Sequence, residues 1–146
     1  MAEAREERRE GRQLFCRIIT PERPVFDDEV DLVIAKIADG EIGVLVDHAP
    51  TVSTVEIGDV RIQQGEEWSI YATSDGFFKV SENLVQILVE EAVPAGEIDS
   101  EEAEDRVEEA ERALAEADED EREVIIRRQR VGENLVRVAR RYGGEG

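Results

Sequence analysis

A histidine next to a carboxylate is where chemistry is first looked for. His48 is the sole histidine, Asp47 precedes it and Ser53 lies nearby, which are the residue types of an acyl-transfer triad. No nucleophile elbow or oxyanion loop accompanies them, so a turn or contact residue is the better reading of His48. Cys16, the sole cysteine, sits in an apolar segment and reads as a small buried hydrophobe. One histidine and one cysteine do not make a metal cluster. The acid-rich run 101–111 lacks the Asp-x-Asp-x-Asp-Gly spacing of a calcium loop and reads as a solvated helix face. The glycines are scattered, with no phosphate loop and no dinucleotide fingerprint. No catalytic residue, metal or cofactor is expected.

A second pattern is less bland. Arg127, Arg130, Arg137 and Arg141 fall on one stripe of a helix at about 100° per residue. Such a stripe is either a solvated face or a docking strip for a carboxylate-rich surface. The chain as a whole carries a net charge of −19. That charge argues against nucleic acid or an anionic lipid surface as main partner. Only Lys36 and Lys79 are lysines among the basic residues; an Arg-heavy, acidic composition fits genome bias or a salty cytoplasm equally. No apolar run is long enough to span a membrane. The N-terminus has no apolar centre, so no signal peptide is read and a cytoplasmic location is expected. A single cysteine fits a reducing compartment.

The elements that must position these residues fall into two parts. Residues 1–12 carry charges of both signs and read as a disordered extension. From residue 13 to 93 short apolar segments alternate with turn signals, at 14–20, 30–37, 42–46, 51–57, 60–63, 68–73, 77–80 and 84–89. No helical period lies between them. This spacing predicts an all-β sandwich of about 8–10 antiparallel strands. The Val-Pro-Ala-Gly sequence at 93–96 marks the boundary, with a hinge over 94–98.

Beyond the hinge, 99–142 predicts an antiparallel α-helical hairpin with a flexible tail at 143–146. Asp99 followed by Glu102 is a capping signal. Ala103, Val107, Ala110 and Leu114 form the apolar stripe of the first helix, and most of its remaining surface is acidic. Asp118-Glu119-Asp120 marks the break. The second helix, 121–142, has Val124, Val131, Leu135 and Val138 as its stripe, with the arginines beside it. One helix is acidic and the other basic, so they attract when folded back, at roughly 0.5 kcal/mol per exposed pair.

Particular runs resemble a known family. Ile19-Thr20-Pro21-Glu22-Arg23-Pro24-Val25-Phe26 resembles the first hairpin of ATP synthase epsilon subunits. Asp39-Gly40-Glu41-Ile42-Gly43-Val44-Leu45-Val46-Asp47-His48-Ala49-Pro50 resembles the family's Gly-Glu-Ile-Gly to His-Ala-Pro segment. The segments 59–62, 74–80 and 85–89 continue the likeness in order. Two departures stand out: Val46 replaces the usual proline before the His-Ala-Pro turn, and Asp75-Gly76 replaces Gly-Gly.

The resemblance implies a non-catalytic central-stalk (rotor) subunit, peripheral on the cytoplasmic face of the membrane. Its sandwich would meet the gamma subunit and the polar loops of the membrane c-ring, with Glu41 and His48 at the ring-facing end. Its hairpin would restrain ATP hydrolysis by docking Arg127, Arg130, Arg137 and Arg141 on the catalytic beta subunits. Some family members bind ATP through an Ile/Leu-Asp-x-x-Arg-Ala motif. Here Ile98, Asp99, Glu102 and Ala103 occupy it, and Glu102 stands where arginine is expected, so the motif is expected to be non-functional. Two other readings stay open at this point. One is a free-standing sandwich adaptor that grips a protein partner with its hairpin, and the other a small hydrolase using His48.

Overall fold

A computed structural model describes residues 12–143. The extension expected over residues 1–12 lies outside the described residues apart from Arg12, as does the expected tail beyond Gly143. The chain divides into two compact units, Met1–Ala92 and Val93–Gly146.

The first unit is built of β1 (Leu14–Ile19), β2 (Pro24–Val30), β3 (Leu32–Ile37), β4 (Gly40–Val44), β5 (Thr51–Val55), β6 (Gly58–Gln64), β7 (Glu67–Thr73), β8 (Gly76–Ser81) and β9 (Leu84–Val89). A short β10 (Ala92–Pro94) follows. The order across the sheet is β7-β6-β3-β5-β8-β9-β1-β2, with β4 attached to β3. Adjacent strands pair antiparallel except β1 and β9, which run parallel with Phe15 opposite Leu84 and Ile19 opposite Leu88.

Alternation of apolar and polar residues sends one face of each strand inward. Leu14, Cys16 and Ile18 of β1 meet Val33 and Ala35 of β3, Val60 and Ile62 of β6, Phe78 and Val80 of β8 and Val85 and Ile87 of β9 in one core. Phe78 is the largest fully buried side chain. The sheet nearly closes on itself. The Gln64 side-chain amide at the end of β6 donates to the Glu29 carbonyl oxygen of β2 at 2.8 Å and to the Asp28 carboxylate at 3.2 Å.

Two turns explain residue choices that alternation does not. Glu82 and Asn83 both have positive φ, at 51° and 64°, the backbone of a tight primed turn between β8 and β9. Gly76 needs the absence of a side chain, because a Cβ there would stand 2.1 Å from the Leu88 carbonyl oxygen. Buried Ser74 accepts both the Glu90 and Glu91 N–H groups at its Oγ, each at 3.1 Å, tying the β7–β8 link to the end of β9.

Two boundaries differ from the sequence reading. β2 is not marked by alternation, since Asp27, Asp28 and Glu29 fill its centre; it is held by pairing with β1, with Arg17 and Asp27 at 3.4 Å. The expected strand 30–37 is interrupted at Asp31, whose carboxylate accepts the Gly65 N–H at 2.6 Å.

In the second unit a 3-10 turn (Ala95–Glu97) leads to α1 (Ser100–Glu116) and α2 (Glu119–Val138), and a π turn (Ala139–Gly143) ends the described chain. Ala117 and Asp118 make the connection, so Glu119 and Asp120 are already helical rather than part of a break. On α2 Val131, Leu135 and Val138 of the expected stripe are buried, but Val124 is 57 % exposed and Ile125 is buried in its place. Both neighbours are apolar, and the rest of the buried set (Val131, Gly132, Leu135) selects Ile125 by helical phase. Gly143, expected in a flexible tail, closes the π turn.

Cys16 is fully buried, and desolvation, with a smaller contribution from the Asp27 carboxylate, pushes its thiol up from 9.0 to about 12. The unfolded chain therefore releases this proton at lower pH than the folded chain. Stability conferred by the neutral thiol is complete below pH 9 and declines as pH rises from 9 toward 12. Chemical denaturation across that window is expected to show the decline in wild type and a smaller one in Cys16→Ala.

Candidate docking surfaces

The loop 45–50 joins β4 to β5 and carries the lone histidine. Asp47 has φ 67°, in the left-handed region that Asp tolerates better than most side chains. It is pinned from outside the loop. Its N–H donates to Asn83 Oδ1 at 2.6 Å, and the Asn83 amide donates back to the Asp47 carboxylate at 3.2 Å. Arg12 adds an ion pair at 3.1 Å. His48 Nδ1 lies 2.7 Å from the Ala49 carbonyl oxygen, which places the proton on Nδ1 for that bond. The Asp47 carboxylate is thus held by Arg12 and Asn83, and Ser53 lies on β5 opposite Phe78. The three residues that suggested a triad are not arranged as one. Instead the loop presents Leu45 and Val46, both exposed, next to His48. No sequence pattern announces the Asn83 clamp, since the two residues are 36 positions apart.

Glu41 lies one residue into β4, opposite Lys36 and next to the β3–β4 turn. Its carboxylate accepts from Arg61 at 2.5 Å. His48 lies beyond the far end of the same strand. The structure therefore places Glu41 and His48 at opposite ends of β4 and does not bring them together.

A second surface is the outward face of β5, β8, β9 and β1. Its rows follow from register. Thr54, Phe77, Leu88 and Ile19 stand side by side, as do Val52, Lys79, Gln86 and Arg17, and then Ser81, Leu84 and Phe15. Phe15, Val52, Phe77 and Leu88 are 42 %, 65 %, 45 % and 43 % exposed. The charges within these rows are Lys79 and Arg17, the latter paired with Asp27. On a chain of net charge −19, this is a patch of exposed apolar side chains, bordered on β2 by Asp27 and Glu29, the register partners of Arg17 and Phe15. Contiguous exposed apolar surface of this kind marks an interaction site. Sequence reading assigned these strands but did not single out the face, because outward apolar residues look like core residues until register is known.

The hairpin is the third surface. Asp99 is the N-cap of α1 and its carboxylate accepts the Glu102 N–H at 3.1 Å. Ile98 closes the 3-10 turn, Glu102 is exposed in the first turn and Ala103 is buried. The motif residues 98–103 thus serve as a helix start: a carboxylate faces the positive end of the helix dipole. Arg127, Arg130 and Arg137 lie on α2 and Arg141 in the π turn. Arg130, Arg137 and Arg141 are exposed and Arg127 is half-buried. Arg137 donates to Asn134 Oδ1 at 2.7 Å, and the Arg141 guanidinium lies 5.4 Å from the Tyr142 ring centre. Arg137, Arg140 and Arg141 share a groove with Glu104, Glu108 and Glu133, and Arg140 approaches Glu104 at 3.8 Å. Arg137 and Arg141 thus sit among carboxylates, while Arg127 and Arg130 lie further up α2.

Among the described residues no group of histidine, cysteine and carboxylate side chains is arranged to hold a metal ion, and no helix is long and apolar enough to cross a membrane.

Comparison with known proteins matches this geometry. Residues 13–95 match the family described as "ATP synthase, Delta/Epsilon chain, beta-sandwich domain". The ATP synthase epsilon chain of Rubrobacter xylanophilus is 70 % identical over 92 % of this chain and 97 % of its own length. The epsilon chain of Desulforamulus reducens is 41 % identical over 66 % of this chain and 74 % of its own. Among solved structures, a chain of the Euglena gracilis mitochondrial ATP synthase (OSCP/F1/c-ring) is similar with a TM-score of 0.71. It is 28 % identical, and the match covers 84 % of this chain and 79 % of that one. The chain belongs to the ATP synthase epsilon chain family, whose members are subunits of the ATP synthase complex.

Proposed function

We propose that this epsilon chain is a central-stalk element of a proton-translocating ATP synthase, coupling the gamma subunit to the membrane c-ring and restraining ATP hydrolysis through its hairpin. The observation that carries the reading is the exposed apolar face of β5, β8, β9 and β1, with Phe15, Val52, Phe77 and Leu88 at its centre. On a strongly acidic subunit it offers another protein apolar side chains in register, with Lys79 and the Arg17–Asp27 pair as the charges beside them. A nearly closed sheet behind that face suits torque transmission, since its strands share one packed core. The gamma subunit is the assigned occupant. The loop bearing Leu45, Val46 and His48 is assigned to the ring loops, held in place by Asn83. Glu41, engaged by Arg61, contributes at the other end of β4. The complex would hold the chain peripherally on the cytoplasmic face of the membrane.

The test of the docking face is co-purification of the full complex. The double variant Phe77→Asp, Leu88→Asp places two carboxylates in the patch. It is expected to reduce recovery of this subunit with gamma by tenfold or more, about 1.4 kcal/mol per factor of ten. Equal recovery, with the sandwich still folded by circular dichroism, would overturn the assignment.

The Arg127, Arg130, Arg137 and Arg141 stripe supports a brake. An array of guanidiniums on an otherwise acidic subunit fits a carboxylate-rich surface of the catalytic beta subunits. Truncation after Val93 is expected to raise ATP hydrolysis by the reconstituted complex; unchanged hydrolysis would remove the brake from the proposal.

The hairpin is not proposed to bind ATP. Glu102 puts a carboxylate where the motif's arginine would face a phosphate, and the Asp99 side chain is already used as a cap. Calorimetry on the isolated chain is expected to show no sub-millimolar binding, and an exothermic saturable titration at that concentration would refute it.

A further inference from the structure

The hairpin's last turn is packed against its own first one. A Cβ on Gly143 would stand 2.3 Å from the Ala95 carbonyl oxygen, 3.1 Å from the Ala95 carbonyl carbon and 3.7 Å from Gly96 Cα. These are backbone atoms, which cannot rotate aside as a side chain does. Ala95 and Ala139 are both buried and Val138 is fully so. The π turn Ala139–Gly143 widens the helix at this spot, a deviation that recurs where a helix serves a special purpose. The residue touched, Ala95, opens the 3-10 turn that leads through Ile98 into the Asp99 cap.

α2 makes a second close approach through glycine. A Cβ on Gly132 would stand 3.0 Å from Val107 Cγ2. That neighbour is the end of a side chain and can give way. Gly132 and Gly143 are eleven residues apart, about 16 Å along a helix, so the folded-back state is clasped at two points. One is yielding and the other rigid.

We propose that Gly143 against Ala95 is a latch that holds the hairpin closed, and that release of α2 from α1 begins by opening it. This rests on the reading of the hairpin as a movable brake only for its consequence; the latch itself is a property of the isolated chain. Extension of α2 away from α1 requires the π turn to leave Ala95, and the segment 94–98 is free to act as a hinge only once that contact is broken. A side chain at 143 excludes the closed geometry while leaving the sandwich untouched.

Hydrogen exchange on the full-length chain tests this. In Gly143→Val, amides of residues 95–98 and 139–142 are expected to exchange roughly tenfold to a hundredfold faster, the effect of a core clash on a local opening. Amides around Val33 and Val85 in the sandwich should keep their protection. Gly96→Ala is the control, because a Cβ there meets nothing within 4 Å and should leave exchange unchanged. Unchanged protection in Gly143→Val overturns the latch. So does an even loss of protection through all of α1 and α2, which would report a melted hairpin instead of an unlatched one. The same variant in the reconstituted complex should change ATP hydrolysis relative to wild type. Faster exchange with unaltered hydrolysis would support the latch and remove the brake.

Discussion

The parallel pairing of Phe15–Ile19 with Leu84–Leu88 joins the first strand of the chain to the last full strand of the sandwich. Two surfaces are made by this one contact. Inward, it sets Cys16 and Ile18 beside Val85 and Ile87 and completes the core around Phe78. Outward, it sets Phe15 beside Leu84 and Ile19 beside Leu88, turning separate exposed side chains into a patch. Hydrogen bonds fix the register, and a slip of one residue would exchange the two faces. β2 depends on it as well, since β1 is the strand that connects β2 to the rest of the sheet.

The hairpin is held by a different kind of force. Its charges are segregated, yet the Arg140–Glu104 pair that crosses between helices is exposed and 3.8 Å long. Such pairs contribute about 0–1 kcal/mol and weaken with salt. Close approach does more. Ala103, Ala110 and Gly132 are small and buried, so the two backbones come near enough for dispersion contacts along their length. Around these small residues Ile125, Val131 and Leu135 supply the larger buried apolar side chains of the interface.

Much of this was legible in the sequence. The alternation that marks β3, β6, β8 and β9 is a direct record of which face is inside, and the Asp99 cap with its N–H at Glu102 follows from local chemistry alone. The family resemblance rested on turns at fixed spacing, which are local too. What was not legible is non-local. Asp27, Asp28 and Glu29 conceal β2, because pairing and not burial makes it a strand. Val124 and Ile125 are both good apolar candidates, and only the packing of the other helix chooses between them. Asn83 reaches Asp47 across 36 positions. The separation of Glu41 from His48 follows from the direction of β4, which spacing in the sequence does not reveal.

The near-closure of the sheet has one more consequence. An open edge strand offers its unpaired N–H and C=O groups to any other strand and is the usual route to fibrils and domain swapping. Here β2 carries Asp27, Asp28 and Glu29, and Gln64 already occupies the Glu29 carbonyl oxygen. A foreign strand adding at this margin would have to displace Gln64 and bring its own backbone past a row of carboxylates. The β2 margin is therefore a poor template for strand addition.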